Sequence, residues 1–353
     1  MMLHTHLKMG EAMTKLTIHD VAREAGVSVA TVDRVLNKRP GVRQQTVERV
    51  ESTVARLNYQ PDRLAARLAR AREYKLAFVL PAGTSAFLEQ LNAQMQEAVR
   101  RGASERISIH IEQTDVFVGE ALAQTLVGFG DQYDGVAVVA LDNPLVREAI
   151  DGLESRGVRV VTLVSDLPSS RRQHYVGIDN AAAGRTAASL LGRFAGGRKG
   201  AVGIVMGSLS LRDHVERRYG FEQVLRDEYP GLTLLPIQES RDDFIKVEAI
   251  ASEMIESTPV LVGLYNTGAG NRGIVSALET AGRATDVVFV AHELTPYSRQ
   301  ALTTGAIDAV INQSVGHEVR SAVRVLLSLI DETEVLEDQE RIRIDIFLRD
   351  NLP

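Results

Sequence analysis

The sequence contains no cysteine, which excludes disulfide bonds and thiolate metal sites and is compatible with a reducing compartment. It has only ten prolines, and no apolar run reaches the roughly 18 residues that a membrane span needs. The N-terminal segment MMLHTHLKMGEAMTK lacks the apolar stretch and small-residue cleavage site of an export signal. With 44% hydrophobic and 24% charged residues, the chain is typical of a globular protein. We therefore expect it in the cytoplasm, without membrane contact.

The sequence also lacks the clusters that catalysis or metal binding requires. Its eight histidines are scattered: His4 and His6 lie in the N-terminal tail, His19 on a helix face and His110 in a strand pattern. No Ser, His and Asp stand in the context of a catalytic nucleophile. We predict no enzymatic activity, no cofactor and no metal site.

Acidic charge is concentrated away from the N-terminal region. The whole chain carries a net charge of −6, yet residues 15–75 contain thirteen Lys or Arg against seven Asp or Glu, a net of +6. The remainder therefore carries −12. A basic N-terminal part favours a polyanionic partner, because each neutralised phosphate releases condensed counterions. A solvated basic surface would show the same excess.

Residues 17–57 show the spacing of three short helices. Thr17 is a candidate N-cap of the first helix, Gly26 interrupts its pattern, and Ser28 is a candidate N-cap of the second. The predicted inward positions are Ile18, Val21, Ala22 and Ala25, then Thr31 or Val32 with Val35 and Leu36, then Val47, Val50, Val54 and Leu57. With a tight Gly-Val turn between the first two, these helices predict a helix-turn-helix unit, although generic three-helix bundles share the spacing.

The N-terminal half of the second helix is slim enough to enter the major groove of duplex DNA. Val29 and Ala30 are placed to touch thymine methyl groups, and Arg34 is placed to pair with a guanine edge. The polar side chains better suited to phosphates are Ser28, Thr31, Asn37, Lys38 and Arg39. Double-stranded DNA is therefore the predicted macromolecular partner.

A short segment rich in Ala, Leu and Arg follows Pro61, with Asp62 as a candidate cap. A helix of two or three turns is marginal alone in water, so we expect this one to form only against a partner. Two such helices in a dimer would insert Leu68 between bases from the minor groove. A plain charged linker helix is the alternative.

The stretches TIHDVAREAGVSVATVDRVLN and VRQQTVERVESTVARLNYQPDRLAARLA resemble the DNA-binding region of LacI/GalR-type bacterial repressors. The resemblance implies that Val29, Ala30 and Arg34 read bases in the major groove and that Leu68 inserts into the minor groove. Asp33 departs from the family, which usually has Ser there. The predicted DNA-contacting residues are Thr17, Ser28, Val29, Ala30, Thr31, Asp33, Arg34, Asn37, Lys38, Tyr59 and Leu68.

From Lys75 onward, short apolar runs alternate with helical patterns over more than 250 residues. The runs predicted as strands are KLAFVLP, ISIHIEQ, GVAVVALD, VRVVTLVSD, AVGIVMG, TLLPIQES, VLVGLYNT and VVFVAHE. Continuous Val- and Ile-rich strands alternating with helices predict a parallel sheet covered on both faces. Because this length exceeds one compact lobe, we predict two α/β lobes with doubly wound parallel sheets and a cleft between them.

The ends of the predicted strands carry many polar side chains. An aromatic face beside Asp, Asn, Arg and Gln suits a sugar or polyol, since the ring packs on C–H groups and the polar groups bind adjacent hydroxyls. Loops after strands are polar in any protein, so the set carries more weight than any member. The predicted effector-binding residues are Phe87, Asp142, Asn143, Asp166, Arg217, Phe244, Asn266, His292, Glu293 and Gln313.

This larger part of the chain resembles the periplasmic sugar-binding proteins of the ribose-binding type, whose fold serves as the sensor domain in the same repressor family. The resemblance implies ligand contacts at Phe87, Asp142, Arg217, Phe244, Asn266 and Gln313. The pair His292 and Glu293 stands where an Asp is common, and NTGAGNRG departs from the usual pattern around Asn266. Both departures leave the identity of the sugar open.

Three glycines in GAGNRG offer a competing interpretation. Gly268, Gly270 and Gly273 satisfy the dinucleotide fingerprint after a strand and before a helix, with Glu293 about 20 residues further on. The motif lies far from the first βα unit and has no accompanying acid–base pair, so a nicotinamide-dependent oxidoreductase is a minor alternative. A transport-type sugar-binding protein is another, disfavoured by the missing export signal.

We predict a flexible tail at residues 1–14, a helix-turn-helix domain at 15–61, a hinge at 62–73 and a two-lobed effector-binding and dimerisation domain at 74–353. Met13 is an alternative start to Met1. We expect a homodimer that binds a pseudo-palindromic operator, acts as a repressor and is controlled by a sugar or polyol. Induction and corepression both remain open.

Overall fold

The computed structural model describes residues 16–36, 40–59 and 72–353. The chain divides into two compact units, residues 1–72 and residues 73–353. Most of the predicted hinge lies outside the described residues, as do Asn37, Lys38, Arg39 and Leu68. The predicted roles of those residues therefore stay predictions.

The described part of the smaller unit contains helices α1 (Ile18–Ala25), α2 (Val29–Leu36) and α3 (Gln44–Leu57), as the spacing predicts. The backbone N–H and the hydroxyl of Thr17 donate to the Asp20 carboxylate at 2.9 and 2.7 Å, which fixes the start of α1. Gly26 ends α1 in the left-handed conformation, with φ 63°. The short turn that follows sets α2 directly after α1.

An apolar core joins the three helices. Its buried residues are Val21, Ala22, Ala25, Val32, Val35, Val50 and Tyr59. Of the two alternatives predicted for the inward face of α2, Val32 is buried and Thr31 is half-buried. The side chains of Val47, Val54 and Leu57 pack against this core from α3. On the surface, Arg56 of α3 donates to Glu24 of α1 at 3.1 Å.

The larger unit begins with a five-stranded parallel sheet in the order β2-β1-β3-β4-β5. Its strands are β1 (Tyr74–Pro81), β2 (Ile107–Thr114), β3 (Gly135–Val138), β4 (Arg159–Leu163) and β5 (His174–Val176). Helices α4 (Ala86–Ser104), α5 (Gly119–Gly128) and α6 (Pro144–Ser155) connect the strands. This sheet and its helices form the first lobe.

A seven-stranded sheet forms the second lobe, in the order β12-β11-β10-β9-β6-β7, with β8 also pairing with β6. Its strands are β6 (Gly200–Met206), β7 (Leu232–Leu234), β8 (Gln238–Glu239), β9 (Leu261–Asn266), β10 (Val288–His292), β11 (Ala309–Gln313) and β12 (Ile344–Phe347). The remaining helices are α7 (Asn180–Phe194), α8 (Arg212–Glu228), α9 (Phe244–Ser257), α10 (Asn271–Thr280), α11 (Pro296–Thr304), α12 (Val315–Ile330) and α13 (Glu337–Glu340). A 3-10 turn, Arg349–Asn351, follows β12.

Both sheets are covered by helices on both faces, as the apolar runs predict. In β1, Leu76 and Phe78 belong to the core that includes Leu91 of α4, whereas Ala77 and Val79 belong to the core formed with α5 and α6. The side chains of β6 alternate in the same way. One face belongs to the core formed with α7 and α8, and the other face belongs to the core formed with α9 and α10. Each lobe is thus doubly wound, which confirms the predicted fold class.

The chain crosses between the lobes more than once. Helix α12 follows β11 of the second sheet but packs on β3 and β4 of the first, where a Cβ at Gly135 would lie 2.9 Å from Leu326 Cδ2. The Tyr74 hydroxyl donates to Asp331, just beyond α12, at 2.8 Å. Strand β12 then returns to the second sheet and pairs antiparallel with β11. These crossings bring residues of both lobes to a shared cleft at the ends of the strands.

Some strands differ from the prediction. The run TLLPIQES is two strands rather than one, because Pro236 has no N–H to donate and separates β7 from β8. Strands β5, β11 and β12 were not among the predicted runs, and β12 is an edge strand with partly exposed side chains. Within the described residues, no helix is long and apolar enough to span a bilayer.

Candidate functional site

The outward side of α2 is the candidate nucleic-acid interface. The Ser28 hydroxyl oxygen accepts a hydrogen bond from the Thr31 backbone N–H at 3.1 Å, which caps the helix as predicted. Ala30 and Arg34 are exposed, whereas Val29 packs partly against the core of the smaller unit. Two of the three predicted base-reading residues therefore face solvent.

The other described residues of the predicted interface are placed differently. Thr17 is exposed, and its polar groups bind Asp20 at the start of α1. Asp33 is half-buried on α2. Tyr59 is buried with a relative exposure of 9% and belongs to the core of the smaller unit, so its placement indicates a packing role. Contact of these three residues with DNA remains a prediction.

In the larger unit, Arg217 of α8 lies at the centre of a buried polar group. Its Nε donates to Asn180 Oδ1 and its Nη1 donates to the Thr267 carbonyl, both at 2.8 Å. Asp213 Oδ2 lies 3.9 Å from Nη2. Burial opposes the charge of Arg217, but the carboxylates of Asp213 and Glu293 outweigh this and raise its pKa. The guanidinium is therefore held charged inside the protein.

Glu293 and Gln313 come from the ends of two neighbouring strands, β10 and β11. Gln313 Nε2 donates to Glu293 Oε1 at 2.8 Å, and both side chains are buried. Burial raises the pKa of Glu293 to about 7. At neutral pH, Glu293 is therefore close to the midpoint of its titration.

Two histidines adjoin this group. His292 Nε2 lies 2.8 Å from the Tyr265 hydroxyl, and burial lowers the pKa of His292 well below its usual value. His214 Nδ1 accepts the Ser208 backbone N–H at 3.0 Å, which leaves its Nε2 facing Asp213 Oδ2 at 3.5 Å. A neutral imidazole at His292 matches its hydroxyl partner.

Glu318 lies in the first turn of α12 and is fully buried. Neither of its carboxyl oxygens has a hydrogen-bond partner among the described residues. Burial, with repulsion from Glu293 and Asp213, raises the pKa of Glu318 well above its usual value. A buried carboxyl group without a partner is costly, which makes this residue a strong candidate for ligand contact.

Unpartnered buried polar atoms are concentrated around Arg217. Among the described residues, those whose buried side chains have such an atom are Ser165, Asp213, Arg217, Thr267, His292, Glu293, Gln313 and Glu318. We call these eight residues the cleft cluster. Ser165 and Glu318 come from elements that belong to or pack on the first lobe, and the others come from the second lobe. Such a concentration indicates a site that binds a small polar molecule between the lobes.

Two residues in or next to the cleft cluster have left-handed backbone conformations. Val164 and Glu293 are non-glycine residues with positive φ, 64° and 70°. Val164 directly follows β4 and precedes Ser165, and Glu293 directly follows β10, so these two of the positive-φ residues lie at strand ends in different lobes. A left-handed β-branched residue costs on the order of 1–3 kcal/mol and is typical of functional sites.

A cavity of about 550 Å³ lies beside α8 and the start of α7. The residues that line it are Asp142, Asp179, Ala181, Leu209, Ser210, Arg212, Val215, Glu216 and Tyr219. The Asp142 backbone N–H donates to the Ser210 carbonyl at 3.2 Å, which links the two lobes at its edge. Asp142, a predicted effector contact, thus lines this outer cavity and not the buried cluster.

Two other predicted effector residues have internal partners. Asn143 Oδ1 accepts the Leu145 N–H at 2.8 Å and so caps α6. Asp166 accepts two hydrogen bonds from Arg172, both at 2.7 Å. Burial opposes the charge of Asp166, but these bonds outweigh it and lower its pKa. Both side chains are thus occupied in holding the first lobe together.

Asn266, Phe87 and Phe244 lie outside the cleft cluster. Asn266 Nδ2 donates to Asn271 Oδ1 at 2.7 Å, and Asn271 in turn donates to the His292 carbonyl at 2.8 Å, so Asn266 positions the loop beside the cluster. Phe87 packs on the first-lobe core, and Phe244 is half-exposed at the start of α9. Of the ten predicted effector residues, the structure brings together Arg217, His292, Glu293 and Gln313.

Four members of the cleft cluster were not among the predicted effector-binding residues. Ser165 and Thr267 are small polar residues after strands, with no distinctive signal. Asp213 precedes Arg217 by one helical turn, a spacing that permits an internal ion pair. Glu318 interrupts the apolar stripe of α12 between Val315 and Val319, and a carboxyl group on a buried stripe is a signal that could have been used.

The glycines of GAGNRG serve internal packing. Asp242 Oδ1 accepts the Ala269 backbone N–H at 2.9 Å, and a Cβ on Gly268 would lie 2.4 Å from the same oxygen. A Cβ on Gly273 would lie 2.5 Å from the backbone oxygen of Phe244, so this glycine permits α9 and α10 to pack closely. The Asp242 carboxylate therefore already accepts the Ala269 backbone N–H that a pyrophosphate would need. This contact disfavours dinucleotide binding. No group of three His, Cys, Asp or Glu in the described ranges is placed to hold a metal ion.

Comparison with known proteins gives a separate family match for each of the two units. Residues 17–62 match the family described as bacterial regulatory proteins, lacI family. Residues 76–334 match the periplasmic binding protein domain. The chain belongs to the LacI family of bacterial regulators. In this LacI-family protein, the helix-turn-helix match coincides with the smaller unit, and the binding-protein match coincides with the two lobes.

Curated relatives of this LacI-family protein are themselves named as regulators. The HTH-type transcriptional regulator pepR1 of Lactobacillus delbrueckii subsp. lactis is 28% identical over 336 residues, 93% of this chain and 94% of that protein. Catabolite control protein A of Priestia megaterium is 29% identical over 164 residues, 46% of this chain and 48% of that protein.

Solved structures with a similar fold cover the larger unit of this LacI-family protein. GanP, a glucose-galactose binding protein from Geobacillus stearothermophilus, has a TM-score of 0.71 at 20% identity, over 80% of this chain and 99% of that one. An ABC transporter solute binding protein from Burkholderia graminis in complex with D-arabinose has a TM-score of 0.72 at 22% identity, over 80% and 97%. These similarities establish the two-lobed binding-protein fold.

Proposed function

We propose that this LacI-family protein is a ligand-controlled repressor that binds a pseudo-palindromic operator as a homodimer in the cytoplasm. The exposed side of α2, with Arg34 free to approach a base edge and Ser28 at the helix N-terminus, suits the major groove. A two-fold dimer would place two such helices on two half-sites. The predicted contacts of Asn37, Lys38 and Leu68 belong to the same proposal.

The observation that carries ligand control is the cleft cluster. Its unpartnered polar atoms are contributed by both lobes, so a ligand that satisfies them would hold the lobes in one arrangement. Such a ligand shifts DNA binding only by its differential affinity for the two arrangements, typically about 1–3 kcal/mol. We propose a sugar or polyol as the effector and induction as the response. The sugars in the names of the structurally similar proteins support this class.

Footprinting on genomic fragments tests the proposed DNA binding. We expect the full-length protein to protect a two-fold symmetric site against scrambled competitor at moderate salt. A thermal-shift screen of sugars, polyols and their phosphates then tests effector binding, and any compound that shifts the transition should also change the footprint. A protein that prefers no genomic fragment, with or without small metabolites, contradicts the proposal.

Titration with NAD separates this proposal from an oxidoreductase. Because Asp242 occupies the Ala269 amide in the glycine-rich loop, we expect no saturable binding in calorimetry. Saturable micromolar binding of NAD would favour the enzyme.

A further inference from the structure

Acidic side chains outnumber basic ones in the cleft cluster. Asp213, Glu293 and Glu318 supply three carboxyl groups, and Arg217 supplies the single guanidinium. All four side chains have relative exposures of 7% or less. Buried carboxylates are tolerated when they are paired with cations or hydrogen-bond donors, so the cluster is short of positive charge.

The unpartnered atoms show the same imbalance. When the carboxyl groups are ionised, Asp213 Oδ1, Glu293 Oε2, Gln313 Oε1 and both carboxyl oxygens of Glu318 are acceptors without a partner among the described residues. The unpartnered atom that can only donate is Arg217 Nη2. The hydroxyl groups of Ser165 and Thr267 and the ring nitrogen Nδ1 of His292 can either donate or accept. A ligand that satisfies the cluster with its carboxyl groups ionised must therefore bring more donors than acceptors.

We propose that the ligand of the cleft cluster is an organic cation of the amino sugar or amino polyol class. Its ammonium group lies against the carboxyl groups of Glu318 and Glu293, and one of its hydroxyl oxygens accepts from Arg217 Nη2. This inference rests on the proposal that the cleft cluster is the effector site, and it narrows the class of effector.

An ammonium group fits better than the alternatives for two reasons. It brings three donors and no acceptor, whereas a hydroxyl brings an acceptor with every donor. It also supplies the positive charge that three buried carboxyl groups lack, while a phosphate or carboxylate would add to their repulsion. A metal ion is disfavoured, because no three acidic or imidazole groups in the described part of the chain converge on one point.

The titration of the carboxyl groups agrees with this assignment. Burial raises the pKa of Glu293 to about 7, and burial together with Glu293 raises the pKa of Glu318 well above its usual value. Both shifts show that the cluster resists negative charge when no cation is present. A bound ammonium group would reverse that preference and let both groups ionise.

The place of Glu318 in the fold strengthens the case. It extends from α12, which packs on the first lobe, whereas Glu293 and Arg217 belong to the second lobe. A cation held between Glu318 and Glu293 would therefore tie the two lobes together. Replacement of Glu318 by Gln keeps the shape of the side chain but removes the carboxylate.

Matched sugars test the class of ligand on the full-length protein. D-glucosamine, D-glucose and D-gluconate form one set, and D-galactosamine, D-galactose and D-galacturonate form a second. We expect an amino member to stabilise the protein most in thermal-shift assays. Glu318→Gln should weaken its binding in calorimetry by at least about tenfold, the loss expected for one charged hydrogen bond. Glu293→Gln should act in the same direction, while the exposed control Glu253→Gln should have no effect.

A second experiment does not depend on choosing the right sugar. A small-molecule extract of bacterial cells is passed over a cation-exchange resin at pH 7, and each fraction is tested for thermal stabilisation of the wild type and of Glu318→Gln. The inference expects stabilisation of the wild type by the retained fraction, and a smaller shift in the variant. It is overturned if only neutral or anionic fractions stabilise the protein, if the retained fraction does nothing, or if Glu318→Gln, folded and cooperative, responds like the wild type.

Operator binding separates this inference from the broader proposal. Footprinting without ligand depends on the smaller unit and not on the charge of an effector. A protein that selects an operator but responds to a neutral or acidic compound overturns only the ligand class. A protein that selects no operator overturns the proposed function itself.

Discussion

The two units of this LacI-family protein place their polar groups in opposite ways. In the smaller unit, apolar side chains fill the core and the polar candidates Ser28 and Arg34 lie at the surface, in contact with water. In the larger unit, Arg217, Glu293 and Glu318 are buried, and each retains an unpartnered polar atom. A surface that binds a large outside partner needs no cavity, whereas a site that encloses a small molecule must bury the groups that bind it.

This difference has an energetic consequence. Exposed charges on the smaller unit cost little when unpaired, because water and salt screen them. Buried charges in the cleft cluster depend on each other, so removing one partner leaves the others uncompensated. We therefore expect substitutions in the cluster to affect the stability of the larger unit, and substitutions on the outer side of α2 to affect binding more than folding.

Arg217→Ala should show the largest effect. It leaves three buried carboxyl groups without their cation, and breaking a buried pair in this way costs about 3–5 kcal/mol. Denaturant unfolding of the larger unit at pH 8 measures the loss. The neighbouring Arg218 is half-buried and pairs with Glu222 at 2.6 Å, so Arg218→Ala is the matched control and should cost less than about 1 kcal/mol. Equal effects of the two substitutions would remove the contrast between the regions.

The pH dependence of stability should come next. The pKa of Glu293 is about 7 in the folded state and 4.5 ordinarily, so the folded state binds the Glu293 proton more tightly than the unfolded state does. The free energy of unfolding should therefore fall as pH rises from about 5 to 8. The expected contribution is on the order of 2–3 kcal/mol. Burial lowers the pKa of His292 and acts oppositely at acid pH, so the difference between wild type and Glu293→Gln isolates the carboxyl group. Parallel stability curves for the two proteins would contradict the assignment.

Arg34→Ala should affect DNA binding without affecting the cleft. We expect a loss of about 1–3 kcal/mol for the operator and a flattened preference at one base pair. Fluorescence anisotropy with a set of single-base operator variants measures both quantities. Arg49→Ala, on the exposed side of α3, is the control for general loss of charge. If Arg34→Ala weakens binding equally for all sequences, Arg34 binds phosphate and does not read a base.

Ser28→Ala should have the smallest effect. Loss of the N-cap hydrogen bond to Thr31 should destabilise the smaller unit by about 1 kcal/mol and leave the larger unit unchanged. Faster amide hydrogen exchange at Thr31 would report the loss locally. Ser52→Ala, which removes a side-chain bond to the Arg49 carbonyl inside α3, should leave Thr31 unaffected.

The smaller unit was largely predictable because local rules act there. The caps at Thr17 and Ser28 and the turn at Gly26 depend on residues within a few positions of each other, and the structure has all three. The buried position of Tyr59 was missed, because it depends on how the end of α3 packs back on the core.

The ligand site was predictable only in part. Arg217, His292, Glu293 and Gln313 were identified from the polar ends of strands, and the structure brings them together. Asn143 and Asp166 carry the same local signal but are occupied by a helix cap and by Arg172. Nothing in the short stretches around these residues distinguishes a carboxylate or amide with a partner from one without.

Sequence alone determined the alternation of helices with most of the strands, the doubly wound lobes and the apolar side of the helices, because these follow from the periodicity of neighbouring residues. Tertiary structure decided which polar residues meet. Glu318 joins Arg217 and Glu293 because α12 crosses from the end of β11 to the first lobe, and Asp142 is left in the outer cavity. Such contacts join residues far apart in the chain, and their geometry exists only once both sheets have packed.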